Sequence, residues 1–132
     1  MENIQIIPKL FIVDDDVATR LLIAEIVDVL SVDIVEAESG AAAVDLFKIY
    51  TNEIVLVLLD IRLPDCTGWE LVKQLRVINP SVSIVALSAL GEMELVRKIK
   101  GSGFTSYKCK PFDIREMERL IKFHATYKAE FA

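Results

Sequence analysis

The sequence is poor in the residues that would anchor or cross-link a chain. It contains two cysteines and one histidine among 132 residues. Two cysteines are too few for a disulfide framework, so we expect reduced thiols in a cytoplasmic protein. No apolar run approaches the roughly 18 residues that a membrane-spanning helix needs. The N-terminus also lacks the basic region and long apolar stretch of a signal peptide. We therefore expect neither a membrane protein nor a secreted one.

Positive charge is also in short supply, whereas apolar residues are abundant. The net charge of −5 argues against nucleic acid as a direct partner, because neutralising phosphates requires a basic patch. The composition is 53% hydrophobic, which suits a parallel sheet whose strands are covered on both faces. The length fits a single domain over residues 1–132, with a core at about 8–128.

Apolar runs alternate with segments of helical period five times along the chain. The predicted strands are Leu10–Val13, Asp33–Glu36, Ile54–Leu59, Ser83–Leu87 and Ser106–Cys109. The predicted helices are Val17–Leu30, Ala41–Tyr50, Trp69–Ile78, Glu92–Lys100 and a last helix that follows Asp113 to about Lys128. Asp16 and Ser39 are predicted N-caps of the first two helices. Strands that alternate with helices in this way predict a parallel sheet with helices on both faces.

Polar side chains follow four of the predicted strands. They are Asp14, Asp15 and Asp16 after the first strand, Asp60 after the third, Ser88 after the fourth and Lys110 after the fifth. In sheets of this kind ligands bind at the carboxyl ends of the strands, where the strand order reverses. We therefore expect all of these side chains except Asp16 to meet in one pocket, and Asp16 to be a helix cap.

The residue types in this predicted pocket favour phosphoryl transfer. Three carboxylates a few ångström apart repel strongly, and a hard divalent cation with oxygen ligands offsets that repulsion. The size of the cluster suits Mg²⁺, and Lys110 adds one more positive charge. A carboxylate beside Mg²⁺ and a lysine can act as a nucleophile toward phosphorus, which is the role we predict for Asp60. The Ser88 hydroxyl can donate a hydrogen bond to a phosphoryl oxygen.

Four segments of the chain together resemble the receiver domains of two-component response regulators, the family of the chemotaxis regulators. The segments are IVDDD at 12–16, LLDIRLPDCTG at 58–68, IVALSA at 84–89 and YKCKPF at 107–112. The resemblance extends from Leu10 to about Tyr127. It implies a flavodoxin-like α/β fold, a doubly wound five-stranded parallel sheet in the order 2-1-3-4-5 flanked by five helices. It also implies a cis bond between Lys110 and Pro111.

The resemblance further implies how the pocket would work. Asp60 would be the phosphoacceptor of a signal transduction phosphorelay, and a histidine kinase or a histidine phosphotransfer protein would donate the phosphoryl group. Mg²⁺ would be bound by Asp15, by Asp60 and by the backbone carbonyl of Arg62, with Asp14 acting through water. Beyond its own phosphorylation and dephosphorylation, the chain is not expected to be an enzyme.

The resemblance also implies a switch and an output. Phosphorylation would pull Ser88 toward the phosphate and let Tyr107 rotate inward. The face made by the fourth helix, the fifth strand and the last helix would then change shape, in a population shift driven by a local charge. That face would control an output protein, or a C-terminal output domain that lies outside this sequence.

The last predicted helix carries two apolar stripes. The first is expected to face the core and consists of Ile114, Met117, Ile121 and Ala125. The second is rotated from it and consists of Leu120, Phe123, Tyr127 and Phe131. This second stripe either packs locally or forms a contact face for an output partner or a second copy of the chain, which would make a homodimer.

Two other functional classes remain open at this stage. One is a receiver-shaped interaction module that is no longer phosphorylated. The other is an enzyme on a similar sheet, such as a haloacid-dehalogenase-type phosphatase or a flavodoxin. The phosphatase would need a second aspartate where Arg62 stands, and the flavodoxin would need a Ser/Thr/Gly-rich loop where the chain has three aspartates.

Overall fold

The protein folds around one five-stranded parallel sheet. The computed structural model describes residues 7–89 and 97–131, with side chains as far as residue 126. The strands are β1 (Lys9–Val13), β2 (Asp33–Ala37), β3 (Ile54–Asp60), β4 (Ser83–Ala89) and β5 (Ser106–Lys110). Their order in the sheet is β2-β1-β3-β4-β5, which confirms the predicted topology. β3 reads as an unbroken apolar run because it lies at the centre of the sheet and is buried on both faces.

Helices connect the strands, as predicted for an α/β fold. They are α1 (Val17–Asp28), α2 (Gly40–Tyr50), α3 (Gly68–Ile78), α4 (residues 97–99) and α5 (Ile114–Phe131). Residues 92–96, where the predicted fourth helix begins, lie outside the described residues. α1 ends two residues before the predicted Leu30, because the amide of Leu30 turns back to the carbonyl of Val27 at 2.9 Å. Within the described ranges, no helix combines the length and apolar character needed to cross a membrane.

Side-chain caps fix where the first two helices begin. The Asp16 carboxylate accepts a hydrogen bond from the amide of the second residue of α1 at 3.1 Å, and Ser39 caps α2 in the same way at 3.2 Å. Both predicted caps are confirmed. An aspartate from another part of the chain also caps α2. Asp65, in the loop after β3, accepts from the amides of Gly40 and Ala41 at 2.8 and 3.0 Å.

The core consists of two apolar layers, one on each face of the sheet. Alternate residues of β1 divide between them, since successive side chains of a strand face opposite sides. Phe11 and Val13 pack with residues of α2 and α3. Leu10 and Ile12 pack with residues of α1 and α5. The helices therefore cover both faces and leave the carboxyl edge of the sheet to the loops.

The predicted core stripe of α5 is only partly right. Met117 and Ile121 are buried, as expected, but Ile114 is 52% exposed. Ile114 is the first residue of the helix and lines a surface groove together with Phe112 and Lys110 at the carboxyl edge of the sheet. Leu120, predicted for the second stripe, instead packs against the core layer beneath α1 and α5.

Arg76 of α3 joins the helix to two segments on the same side of the sheet. Its guanidinium donates to the carbonyls of Gly103 and Val82 at 2.8 and 2.5 Å, and to the hydroxyl of Thr105 at 3.2 Å. Gly103 has φ of +107°, a conformation that a residue with a Cβ adopts only under strain. Arg76 thus supplies donors both to a tight turn just before β5 and to the carbonyl of the residue that precedes β4.

We predict that Arg76→Met lowers the free energy of unfolding by about 1–3 kcal/mol, because it removes the donors of partly buried carbonyls. The methionine keeps most of the apolar stem, so the loss reports hydrogen bonds more than packing. Urea denaturation of the variant and of Lys73→Met, an exposed position on the same helix, measures the difference. Equal stability of the two variants would contradict this role for Arg76.

Candidate functional site

The predicted acidic residues meet at the carboxyl edge of the sheet. β1 and β3 are neighbours, with Val13 opposite Leu59, so the residues that follow them lie side by side. Carboxylate oxygens of Asp14, Asp15 and Asp60 lie within 4.8 Å of one another. Like charges at this spacing repel one another, and a cation placed among them would offset that repulsion.

Lys110 supplies one positive charge to this cluster. Its Nζ donates to Asp14 Oδ2 at 2.7 Å and to Asp60 Oδ2 at 3.0 Å. Lys110 is the last residue of β5, and the bond to Pro111 that follows it is cis, as predicted. The ammonium therefore bridges the carboxylates at the ends of two different strands.

Burial and hydrogen bonding set the protonation of these groups. Asp14 is 0% exposed. Burial raises its pKa to about 6, and the negative charge of Asp60 acts in the same direction, while hydrogen bonds from Lys110 and from the amide of Asp16 oppose the rise. Burial alone would lower the pKa of Lys110, but its hydrogen bonds to the two aspartates outweigh burial and raise it. At neutral pH the Lys110 ammonium is therefore charged beside the ionised carboxylate of Asp14.

An open cleft lies beside Asp60. It has a volume of about 230 Å³, and its lining includes Asp15, Arg62, Ser88 and Ala89. Asp60 itself is held at both carboxylate oxygens, because Oδ2 accepts from Lys110 and Oδ1 accepts from the amide of Arg62 at 2.8 Å. The Asp60 side chain is 13% exposed, so a small molecule in the cleft can reach it.

Gly68 allows the start of α3 to pack against the backbone at Asp60. A Cβ at this position would lie 2.7 Å from the carbonyl oxygen of Asp60 and 2.8 Å from the Cα of Ile61. Both are backbone atoms that cannot move aside, so only glycine fits. The amide of Gly68 also donates to the carbonyl of Ile61. The loop between Asp60 and Gly68 is thus closed tightly under the cleft.

The Ser88 hydroxyl faces the same cleft without a hydrogen-bond partner among the described residues. Ser88 is 3% exposed, and its Oγ is a buried polar atom with no hydrogen-bond partner in residues 7–89 or 97–126. A buried polar group in this state calls for an explanation, such as a ligand that it binds. Tyr107 lies on β5 but does not line the cleft; it is half-buried and packs against the core layer under α2 and α3.

The oxygen-only donor set fits a hard divalent cation. The clustered ligand atoms are all carboxylate oxygens, and Asp15 and Asp60 both border the open cleft. Mg²⁺ prefers one or two carboxylates together with waters and phosphate oxygens. The residues present therefore suit the predicted cation, and the cleft leaves space for its remaining ligands.

One residue of the site was not found from the sequence. Arg20, the fourth residue of α1, donates from Nη1 to the backbone carbonyl of Asp14 at 2.6 Å. A positive charge in the first turn of a helix interacts unfavourably with the helix dipole. An arginine at this position of the predicted helix is therefore a sequence signal that could have pointed to Arg20. The Asp16 side chain makes the helix-cap contacts expected of it, to the amide of Ala18 and to the Thr19 hydroxyl at 2.7 Å.

Comparison with known proteins gives one consistent family. The family described as response regulator receiver domain matches residues 10–122. Sporulation initiation phosphotransferase F of Bacillus subtilis is 32% identical over 122 residues, which is 92% of this chain and 96% of that protein. Cell cycle transcriptional regulator CtrA of Caulobacter vibrioides is 31% identical over 120 residues, 91% of this chain but only 50% of that protein.

Solved structures agree on the fold. A response regulator receiver domain protein from Clostridium thermocellum superposes with a TM-score of 0.82 at 18% identity, covering 95% of this chain and 99% of that one. A CheY-like receiver domain protein from Methanospirillum hungatei superposes with a TM-score of 0.79 at 24% identity, over 96% and 99% of the two chains. At these identities the likeness establishes the fold alone.

The raised pKa of Asp14 predicts how Asp14→Asn changes stability. The folded state binds the proton more tightly than the unfolded state does, so wild type loses stability as pH rises from about 4 to about 6. The asparagine cannot ionise and avoids this loss. We expect the variant to be more stable by about 1–2 kcal/mol at pH 7 without divalent cations. Urea denaturation from pH 4 to pH 7 measures this gain, and a gain that does not grow with pH would contradict it.

Proposed function

Because the chain belongs to the response regulator receiver domain family of two-component systems, we propose that it takes up a phosphoryl group on Asp60. The observation that carries this proposal is the contact of Lys110 with Asp14 and Asp60 at the open cleft. The ammonium and the acids give Asp60 the surroundings that a carboxylate nucleophile needs. We also propose that residues 1–132 form one receiver domain with a core at about 8–128.

In the proposed step a carboxylate oxygen of Asp60 attacks the phosphorus of a phosphohistidine. The bond between phosphorus and the histidine nitrogen breaks, its electron pair stays on the imidazole, and an aspartyl phosphate forms. Lys110 would hold a phosphoryl oxygen by a charge-assisted hydrogen bond, as it now holds the two carboxylates. Positioning and charge neutralisation supply most of the catalysis in reactions of this type.

Mg²⁺ is the proposed cofactor. Asp15, Asp60 and the backbone carbonyl of Arg62 would hold it, with Asp14 acting through water. When bound, the ion would neutralise charge on the phosphoryl oxygens. The chain's own contribution is the oxygen cluster, with ligand atoms within 4.8 Å, and the ammonium that keeps these acids together.

The proposed switch begins at Ser88. Its buried hydroxyl, without a partner among the described residues, would donate to a phosphoryl oxygen on Asp60. Tyr107 on β5 would then rotate inward beside it, and the face formed by α4, β5 and α5 would change shape. This face would act on an output protein or on an output domain outside this sequence.

The proposed phosphoryl donor is a histidine kinase or a histidine phosphotransfer protein, met in the cytoplasm. An interaction module that is never phosphorylated is not favoured, because the acceptor, the acids and the lysine are all present and in contact. We propose no enzymatic activity beyond phosphorylation and dephosphorylation at Asp60. Direct binding to nucleic acid is not proposed for a domain with a net charge of −5.

We predict that Asp60→Asn abolishes phosphoryl uptake, because the amide is a poor nucleophile. The phosphoryl donor is radiolabelled acetyl phosphate or a phosphorylated histidine kinase, with Mg²⁺ present. The label transferred to each variant is then counted, with acid-stable and acid-labile label measured separately. Asp45→Asn changes an exposed acid on α2 and should be labelled like wild type. Labelling of Asp60→Asn at the wild-type level would move the acceptor elsewhere.

The homodimer through α5 is also a proposal. Phe123 is 63% exposed and offers an apolar contact, while the side chains of Tyr127 and Phe131 lie outside the described residues. Phe123→Glu should lower self-association, because a carboxylate would be buried at the contact. Sedimentation with and without beryllium trifluoride measures the self-association of the variant. Val77→Glu, the same change at an exposed position of α3, is the control. Identical profiles for Phe123→Glu and wild type would contradict the dimer.

A further inference from the structure

We propose that Arg20 is a positioning residue of the cation site, because its guanidinium fixes the peptide bond that carries Asp15. Arg20 Nη1 donates to the carbonyl oxygen of Asp14 at 2.6 Å. That carbonyl belongs to the peptide between Asp14 and Asp15. The inference rests on the proposed function, since it assigns Arg20 a part in holding the same cation.

Arg20 is itself held in place from the β2 side. Its side chain is 11% exposed, and it lies 3.5 Å from Glu36 on β2 and 3.5 Å from Glu38 just after that strand. These two acids are 45% and 77% exposed, so they contribute little energy of their own. They keep the guanidinium turned so that one nitrogen reaches the Asp14 carbonyl.

The backbone contact matters because Asp15 and Asp14 are held differently. The Asp14 carboxylate is fixed directly, since it accepts from Lys110 at 2.7 Å and from the amide of Asp16 at 2.9 Å. Nothing within residues 7–89 and 97–126 is seen to donate to the carboxylate of Asp15. The position of Asp15 beside the cleft therefore depends on its backbone. Arg20 holds that backbone through its hydrogen bond to the carbonyl of Asp14.

Two effects of Arg20 on a cation have opposite signs, and this makes the inference testable. The positive charge of Arg20 repels a divalent cation, so removing it would tighten binding by simple electrostatics. The hydrogen bond to Asp14 orients a ligand, so removing it would weaken binding. Loss of groups that orient metal ligands typically costs about 10–100-fold in affinity, which should exceed the screened repulsion of a single charge.

The experiment is calorimetric titration of Mg²⁺ into wild type, Arg20→Met and Arg20→Lys at pH 7. Arg20→Met should bind Mg²⁺ about tenfold more weakly. Arg20→Lys, which keeps a cationic donor but loses the planar fork, should lie between the two. Glu36→Gln with Glu38→Gln is the matched control, because each glutamine removes a charge but keeps a side-chain oxygen that can accept from the guanidinium, and it should stay near wild type.

Thermal unfolding in EDTA and in Mg²⁺ separates positioning from stability. A purely structural Arg20 would lower the midpoint equally in both buffers, whereas a positioning Arg20 also shrinks the rise that Mg²⁺ produces. Mg²⁺ binding to Arg20→Met as tight as wild type, or tighter, overturns this inference alone. A folded wild type that binds no Mg²⁺ overturns the proposed function as well. If Arg20→Met does not fold, Arg20→Lys gives the same comparison.

Discussion

The contact between the Lys110 ammonium and two carboxylates is the constraint on which the site depends. Asp14 and Asp60 lie at the ends of adjacent strands, and the backbone alone would leave them to repel each other. Lys110 reaches both from β5, with Nζ–oxygen distances of 2.7 and 3.0 Å. Because β3 and β4 lie between β5 and β1, a long side chain such as lysine is needed for β5 to reach carboxylates at the ends of β1 and β3.

The same edge of the sheet holds polar groups in two different states. Lys110, Asp14 and Asp60 satisfy one another, and Asp60 is held at both of its oxygens. Ser88 is also buried but lacks a partner among the residues described. A hydroxyl left in this condition costs free energy, and a bound anion at Asp60 would recover it. This contrast agrees with a site that is assembled in advance and completed by its ligand.

Local sequence patterns predicted most of the fold and most of the site. The apolar runs marked β1, β3 and β4 within two residues, because buried parallel strands have a distinct composition. The edge strands β2 and β5 are only partly buried, and polar residues at strand ends marked Asp60 and Lys110. Patterns could not place Ile114, whose exposure depends on where α5 begins relative to the sheet edge. They also could not predict the partner of Arg20, because that partner is a backbone carbonyl, and carbonyls are present at every position of a sequence.

The strand order has a consequence for the chain as it leaves the ribosome. Lys110 and Asp14, which form a hydrogen bond, are separated by 96 residues in the sequence. Of the five strands described, β5 is the last to be synthesised. An emerging polypeptide that ends before residue 110 would carry the clustered acids without their ammonium. Non-local contacts of this kind are slow to form because a long stretch of chain must first be ordered, so the pocket cannot be complete until the chain has been synthesised through β5.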